Sequence, residues 1–517
     1  MKQDIPLSQT PYSAPYTSLG AEICDNWYLE AGTSPTGKAR FYHVGAQGLH
    51  RLIEATNSNP CRGLYTTSGN RTFGVWGNGL YELTAQGAAK AQIGTLLTSA
   101  GVVRFAENGF QMIVVDGSYG YILELTSGAF AQITDEYFPG INPPDPTKGP
   151  SHVACIDTYF LVNSRGSNRY YWSAPYYTPY AFDSTKPTIK NLWWGLDYGQ
   201  KIGDTDHIVA LIANKNLLLV MGQNSAEYHY DTGDSYGQLF RRMDSALVGV
   251  GCSAPDSVCS YEDTVFFLGR SRAGTLGMFK VGLDFQPTRI STRGIETRIA
   301  QYSSISDCWA YTFFIDGHAY ASWNFPSGTS VDGGDVNGAT WLYDITNGTW
   351  TRRTRWDSTS GESYRWAAQF ATYNWSRLIM GDGSTDAVYE LDGEHYVNDH
   401  PTGSGVDYIN RTMTGPIGYD NNKRLIYDSL QLQFQQGMGL RTGQGSEPYA
   451  MMAMSRDAGF TFGYERLASI GKTGEYAYRT IWRKCGMGRN MVPRFRITEP
   501  IRCIVHGLTA EIRECIR

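Results

Sequence analysis

Residues 108–133, NGFQMIVVDGSYGYILELTSGAFAQI, constrain the fold of this 517-residue chain more than any other stretch. An apolar run at 112–115 meets a tight turn at Asp116-Gly117. A second run at 121–125 meets another turn at Ser127-Gly128, and a third begins at Phe130. Short β-branched and aromatic runs punctuated by Asp-Gly and Ser-Gly specify an antiparallel meander. Such a unit cannot bury its faces alone, so it needs neighbours of the same kind.

The chain supplies them. An apolar strand, a turn and then an apolar-polar-apolar tripeptide recur as Tyr81-Glu82-Leu83, Leu123-Glu124-Leu125, Phe279-Lys280-Val281, Tyr343-Asp344-Ile345 and Tyr389-Glu390-Leu391. Looser versions stand at Tyr171-Trp172-Ser173 and Tyr228-His229-Tyr230. The tripeptide reads as the final strand of each unit. Successive steps of 42, 48, 57, 51, 64 and 46 residues fit one four-stranded sheet per step with loops of unequal length. Periods of this size predict an all-β chain folded as a β-propeller of six or seven blades. An array of two-sheet sandwiches is the competing arrangement.

Composition agrees with an all-β chain rich in turns: 58 Gly, 35 Tyr and only 18% charged residues. Residues 85–97 alone carry helix-like spacing. A net charge of −5 argues against gripping nucleic acid through a basic surface, which requires many Lys and Arg contacts to phosphate. Nine Cys without a Cys-x-x-Cys pair suggest reduced, buried thiols in a protein assembled in a cytosol. The start, MKQDIPLSQTPYS, lacks the apolar run of a signal peptide, and no stretch approaches the length of a membrane span. Without a secretory route, the sequons at Asn70, Asn347, Asn374 and Asn410 carry no meaning.

Three regions follow from this reading: 1–60 as an N-terminal arm with closing strands, 61–418 as the propeller, and 419–517 as a C-terminal β-domain. In the arm, Pro6, Pro11 and Pro15 alternate with Tyr12 and Tyr16, which prevents helix and central strand. Such a segment either lies along a neighbouring subunit or frays. Residues 21–30 read as a strand, and 41–53 as another that closes the ring. Insertions stand at 137–150, 183–200 and 327–340. The second carries Trp193-Trp194, either an anchor for a partner or a cover for the flank of a blade. In the third, Asp332, Asp335 and Asn337 lack calcium-loop spacing and read as a flexible loop.

From about residue 420 the strands lengthen. Ser455-Arg456-Asp457-Ala458-Gly459-Phe460-Thr461-Phe462 fits the Asp-box pattern S-x-D-x-G-x-T-[WF]. In that turn Asp457 caps hairpin N–H groups beside Ser455 and Gly459, and Phe462 packs beneath it. The motif is structural, and the surrounding strands complete a sandwich-like domain.

Chemistry is harder to find. Asp boxes and propellers both occur in glycan-cleaving enzymes, which need clustered arginines with a Tyr nucleophile, or paired carboxylates. Arg352, Arg353 and Arg355 with Glu362 and Tyr364 are the nearest approach, and they read as a solvated basic turn. Glu394, His395, Asp399 and His400 are a tight group with metal-ligand chemistry that reads as polar surface. No nucleophile elbow, Walker loop or zinc-protease helix occurs in the sequence. No catalytic residue, cofactor or metal is expected.

The meander at 108–133, DTYFLVNSRGSNRYYWSAPYYTPYAFD (157–183), HIVALIANKNLLLVMGQNSAEYH (207–229) and the stretch 428–511 with its Asp box together resemble the packaged-DNA stabilisation proteins of short-tailed bacteriophages, the tail hub or nozzle family. The resemblance spans roughly 20–515 and brings no catalytic motif. It implies a β-propeller with an added β-domain, assembled as a homo-hexameric ring below the head-to-tail adaptor. There the ring would continue the DNA channel, retain the genome and anchor tailspikes or tail fibres and a needle or plug. DNA would pass through the lumen without sequence-specific binding, and the protein would reside in the virion tail after assembly in the host cytoplasm. A glycan-binding or glycan-hydrolysing propeller acting on the host envelope is the alternative.

Overall fold

The recurring tripeptides fall, in the computed structural model, on the third strand of successive antiparallel blades built on four strands, with Cys259–Tyr261 added as a fifth in blade five and the sheet of blade six running on beyond its fourth. The structure describes residues 2–13, 21–33, 39–175, 193–204, 206–234, 238–271, 274–329, 335–418 and 420–515. Pro15, Tyr16, Asp332 and the first part of the 183–200 insertion lie outside them. Among the described residues seven such units follow one another: 61–95, 104–132, 153–200, 210–248, 250–289, 309–365 and 368–391. The tripeptide is thus not the final strand. A fourth, more polar strand follows it at the rim, as in Ala89–Thr95 (AKAQIGT).

The middle strands of a blade are apolar without alternation because both of their faces meet neighbouring blades. Gln111–Val115 and Gly120–Glu124 are buried at every position. An apolar cluster fills each gap between consecutive blades. Ile113, Val115, Phe160 and Val162 join blades two and three, for example, and Leu219, Val248, Phe267 and Val281 join four and five. The last cluster decides the architecture. Cys61, Trp76 and Leu83 of blade one pack on Ile379 and Val388 of blade seven, so the ring is closed. The fourth strand of blade seven is Leu49–Ile53, which pairs with Val388–Leu391. The chain therefore closes its own ring from the N-terminal side.

Residues 85–97 are not helical. Ala85, Gln86 and Gly87 take positive φ (50°, 57° and 86°) and reverse the chain, so that Ala89–Thr95 pairs with Gly79–Thr84. Sheet pairing overrides the helix propensity of the alanines here. The α-helix that does form, α1 (Arg293–Ala300), starts at Thr292, whose hydroxyl accepts the Ile295 N–H at 3.4 Å. It buries Ile295 and Ile299 between blades five and six.

The described strands of residues 1–60 pair within the chain and do not stand free. Lys2–Ile5 pairs with Ile504–Glu514 of the same chain, and the hairpin Trp27–Thr33/Ala39–Gly45 joins that same C-terminal strand through Val44 and His43. The long strand would otherwise present unpaired edges, and the N-terminal strands cover them. The second sheet of the C-terminal sandwich is continuous with blade six. Its order runs from Trp309–Ile315 outward to Thr349–Asp357, then through Cys24–Asp25 to Arg411–Thr414, Val492–Ile497, Tyr449–Ser455 and Arg466–Ser469. Trp27, Met413, Leu430, Met452, Trp482 and Phe495 fill the space between the two sheets. The nine cysteines are free and seven are buried; burial pushes the Cys252 thiol up to about 11. Among the described residues no helix is long and apolar enough to cross a membrane.

Candidate functional site

Three parts of the chain meet where the ring closes and the sandwich joins it. The approach to the closing strand, residues 45–48, is held by two fully buried guanidinium groups. Arg353 donates to the Gln47 carbonyl at 2.7 Å and lies over the rings of Trp366 and Tyr28, 4.6 and 5.5 Å from their centroids. Arg411 donates to the Ala46 and Glu499 carbonyls, each at 3.0 Å. Burial lowers both pKa values, that of Arg411 to about 10. Two glycines make the approach possible. A Cβ on Gly45 would lie 2.7 Å from Arg411 Nε, and one on Gly48 would strike the Val397 backbone. Beyond the closing strand, Asp386 accepts the N–H groups of Thr56 and Asn57 at 2.7 and 2.9 Å and the Lys90 ammonium at 2.8 Å. Its burial favours the neutral acid, yet these donors outweigh that and hold the carboxyl at about 2.

The link between propeller and sandwich is polar and buried. Asn26, at φ 60°, donates to Thr354 Oγ1 at 2.8 Å and the Asn410 carbonyl at 2.9 Å, and accepts the Thr354 N–H at 3.0 Å. Arg352 grips Asp25 with two bonds of 3.0 and 2.6 Å and reaches Asp335 at 2.6 Å. Although burial opposes its charge, the two carboxylates raise its pKa. His318 of blade six bridges Glu30 of the N-terminal hairpin at 2.8 Å and Asp344 at 2.9 Å.

The groups singled out in the sequence fall into place accordingly. The expected basic turn is no turn: Arg352, Arg353 and Arg355 lie in the strand Thr349–Asp357, and Arg355 binds Asp407 at 3.0 Å. Each has its own partner, Asp25 and Asp335 for Arg352, the Gln47 carbonyl for Arg353 and Asp407 for Arg355, so they do not converge on one anion. Asp335 is not part of an open loop but is buried between Arg298 and Arg352. Trp193-Trp194 opens the rim strand Trp193–Gln200 of blade three instead of a loop. Trp193 is buried with its ring 5.0 Å from Phe138, while Trp194 is 58% exposed.

In the Asp-box segment, Asp457 accepts the Thr461 N–H at 2.9 Å, and Ser455 Oγ accepts the Gly459 N–H at 2.8 Å. Ala458 and Gly459 turn at φ 64° and 98°, and the Arg494 guanidinium lies 4.1 Å from the Phe462 ring centroid. Hydrogen bonds from the Ser455 and Thr461 hydroxyls lower the Asp457 carboxyl to about 2.

The histidine group divides. His400 turns to Asp407 at 3.0 Å, whereas His395 Nε2 lies 3.1 Å from Asp399 Oδ1. The sequence reading missed the third member, His50 of the closing strand, whose Nδ1 lies 3.1 Å from Asp399 Oδ2. No local signal links His50 to residues near 395; only the pairing of 49–53 with 388–391 does. Also unforeseen is a buried chain at blades three and four, Tyr170 Oη to His229 Nδ1 at 2.8 Å and His229 Nε2 to Glu227 at 3.1 Å. Buried Lys201 pairs with Asp206 beside it.

Among solved structures, the computationally designed Ika8 protein is similar at 9% identity and TM-score 0.38, over 66% of this chain and all of that one. A chain of the mitotic checkpoint complex matches at 11% and TM-score 0.36, over 63% of this chain and 88% of that one. The extracellular domain of BT4673 from B. thetaiotaomicron matches at 10% and TM-score 0.39, over 84% of this chain and 48% of that one. A comparison with curated proteins gives no match. The family model described as bacteriophage P22 Gp10, beta-propeller, matches residues 26–396, and that described as bacteriophage P22 Gp10, beta-sandwich, matches residues 410–513. The chain belongs to the bacteriophage P22 Gp10 family, the tail hub or nozzle proteins of short-tailed phages, and is a structural component of a phage tail.

Proposed function

We propose that this protein forms the hub ring of a short phage tail, a homo-hexamer below the head-to-tail adaptor. The ring continues the DNA channel, retains packaged DNA, and anchors tailspikes or fibres and the needle or plug. It works by stiffness and carries no enzymatic activity. The observation that carries this reading is a closed seven-blade ring bonded through one continuous sheet to the sandwich. A closed ring of blades, whose remaining edges are short and protected, resists shear, as a conduit under pressure requires. Trp194 and Leu196, 58% and 88% exposed at the rim of blade three, offer an apolar edge to a neighbouring copy. The net charge of −5 suits a lumen that releases DNA instead of holding it.

The test is co-expression with a short-tail adaptor ring, followed by electron microscopy and native mass spectrometry. The protein is expected to join the adaptor as a closed six-fold ring, and Trp194→Glu to weaken that ring while leaving the monomer folded. A chain that stays free of the adaptor and turns over host polysaccharide would replace this reading with the glycan-directed one. A strongly basic channel wall in the assembled ring would remove the argument from charge.

A further inference from the structure

We propose that His50, His395 and Asp399 form a binding site for a divalent transition-metal ion, zinc being the probe of choice, that staples the closing strand to the chain beyond blade seven. Each side chain offers one ligand atom, and the three atoms lie within 4.8 Å of one another. Asp399 oxygens stand 3.1 Å from His50 Nδ1 and 3.1 Å from His395 Nε2. Ligand bonds of 2.0–2.2 Å to tetrahedral zinc place donor atoms about 3.3 Å apart, so the set needs only a small adjustment to enclose an ion. The imidazole rings, 5.0 Å apart between centroids and inclined at 61°, leave room between them. Two imidazoles and a carboxylate favour zinc, nickel or cobalt over calcium or magnesium, which prefer all-oxygen sites.

The site is held from outside as metal sites usually are. The Arg51 N–H donates to Asp399 Oδ2 at 2.8 Å and fixes the carboxylate. His50 is fixed by strand pairing opposite Glu390, whose carboxylate lies 3.6 Å from Arg377. Next to His395, the Leu49 N–H donates to Asn398 Oδ1 and the Gly48 N–H to the His395 carbonyl, at 3.1 and 2.6 Å. The Arg51 guanidinium turns away from the three ligands to the His400 carbonyl at 2.8 Å. Solvent reaches all three ligands, whose side chains are 47%, 23% and 20% exposed for His50, His395 and Asp399. An ion can therefore enter the folded ring, and open coordination positions remain for water.

The ligands come from the two ends of the propeller, which are adjacent only when blade seven is complete. Binding therefore selects the closed ring, and metal raises the stability of that closure by mass action.

The experiment uses the full-length protein, stripped by a chelator and titrated with Zn²⁺ against a chromophoric competitor, with Co²⁺ absorption as a second readout. The expected result is about one ion per chain and, with Co²⁺, the intense visible bands of a low-coordinate site. His50→Gln and His395→Ala should each weaken zinc binding by about tenfold or more and abolish those bands, while the exposed His207→Ala leaves both unchanged. Circular dichroism confirms folding, and the half-exposed His50 makes His50→Gln the variant least able to disturb it. Absence of binding at micromolar zinc, or equal binding by wild type and the His50→Gln/His395→Ala double variant, would overturn the proposal.

Discussion

Opposite signs of charge–burial coupling coexist among the histidines. His43 and His152 are enclosed, His43 Nε2 2.7 Å from the Ser8 carbonyl and His152 Nε2 2.9 Å from that of Pro255, and burial lowers the pKa of both. His318 is also penalised by burial, but the carboxylates of Glu30 and Asp344 outweigh that and raise its pKa. A raised histidine binds its proton more tightly in the folded state. Its contribution is therefore complete below the unfolded pKa of about 6.5 and fades as pH rises through the folded value. We expect His318→Gln to lower the unfolding midpoint at about pH 6 and to differ progressively less from wild type towards about pH 9, as read by thermal melts at fixed ionic strength. A difference that grew with pH would mean that the two carboxylates do not charge this ring. None of this was legible in the sequence, because Glu30 lies 288 residues from His318. The same holds for Arg353 and Arg411, since a buried arginine serving backbone carbonyls has the same local context as a solvated one. The Asp-box hydrogen bonds, by contrast, are local, and the pattern S-x-D-x-G-x-T-F names nearly every donor and acceptor in them.

At the scale of elements, the strands that pair with sequence neighbours were readable and those that pair across the chain were not. The meander at 108–133 and the seven tripeptides follow from local periodicity and turn chemistry, and the seven tripeptides mark seven blades. Rim strands were harder to read because they face solvent and lose the apolar run that marks a strand: the start of one showed at Phe130, whereas Ala89–Thr95 imitates a helix. Residues 41–53 were read as a strand that closes the ring, but which blade it completes, and that only 49–53 do so, follows from the pairing with Val388–Leu391. That pairing makes Leu49, 1% exposed and packed among blade six and blade seven residues, a key to the ring. Leu49→Ala is expected to cost about 2–5 kcal/mol, the range for emptying a buried leucine site. Hydrogen exchange should locate the loss: amides of 378–391 should open before those of blades two to five, whose clusters do not include Leu49. Uniform loss of protection around the ring would show that closure at blade seven is not a separable event.

For the whole molecule, the question is whether propeller and sandwich are two bodies or one. Two family models divide the chain between residues 396 and 410, ahead of the boundary at 418/419 read from the change of texture, since Arg411–Thr414 already pairs with Val492–Ile497 of the sandwich. The hydrogen bonds cross that division: Cys24–Asp25 sits between Thr349–Asp357 and Arg411–Thr414, so a single sheet runs from blade six into the sandwich. This splice is two residues long, and backbone pairing so brief cannot hold a sheet without side-chain help. Asn26 supplies that help with three hydrogen bonds in a left-handed backbone conformation that asparagine tolerates better than most other non-glycine residues. Asn26→Ala removes those bonds and strands their partners, at about 1–3 kcal/mol for each buried group left unsatisfied. The wild type should unfold in one calorimetric transition, with coincident fluorescence and circular-dichroism curves. Asn26→Ala should split it in two, the sandwich and propeller melting separately, because the substitution acts on the splice and leaves both cores intact. A variant that still melts as one unit at a lower temperature would place the coupling elsewhere, in the Arg352–Asp25 pair or the His318 bridge. In a tail hub the distinction has a mechanical meaning: force applied to the sandwich reaches the propeller through this splice.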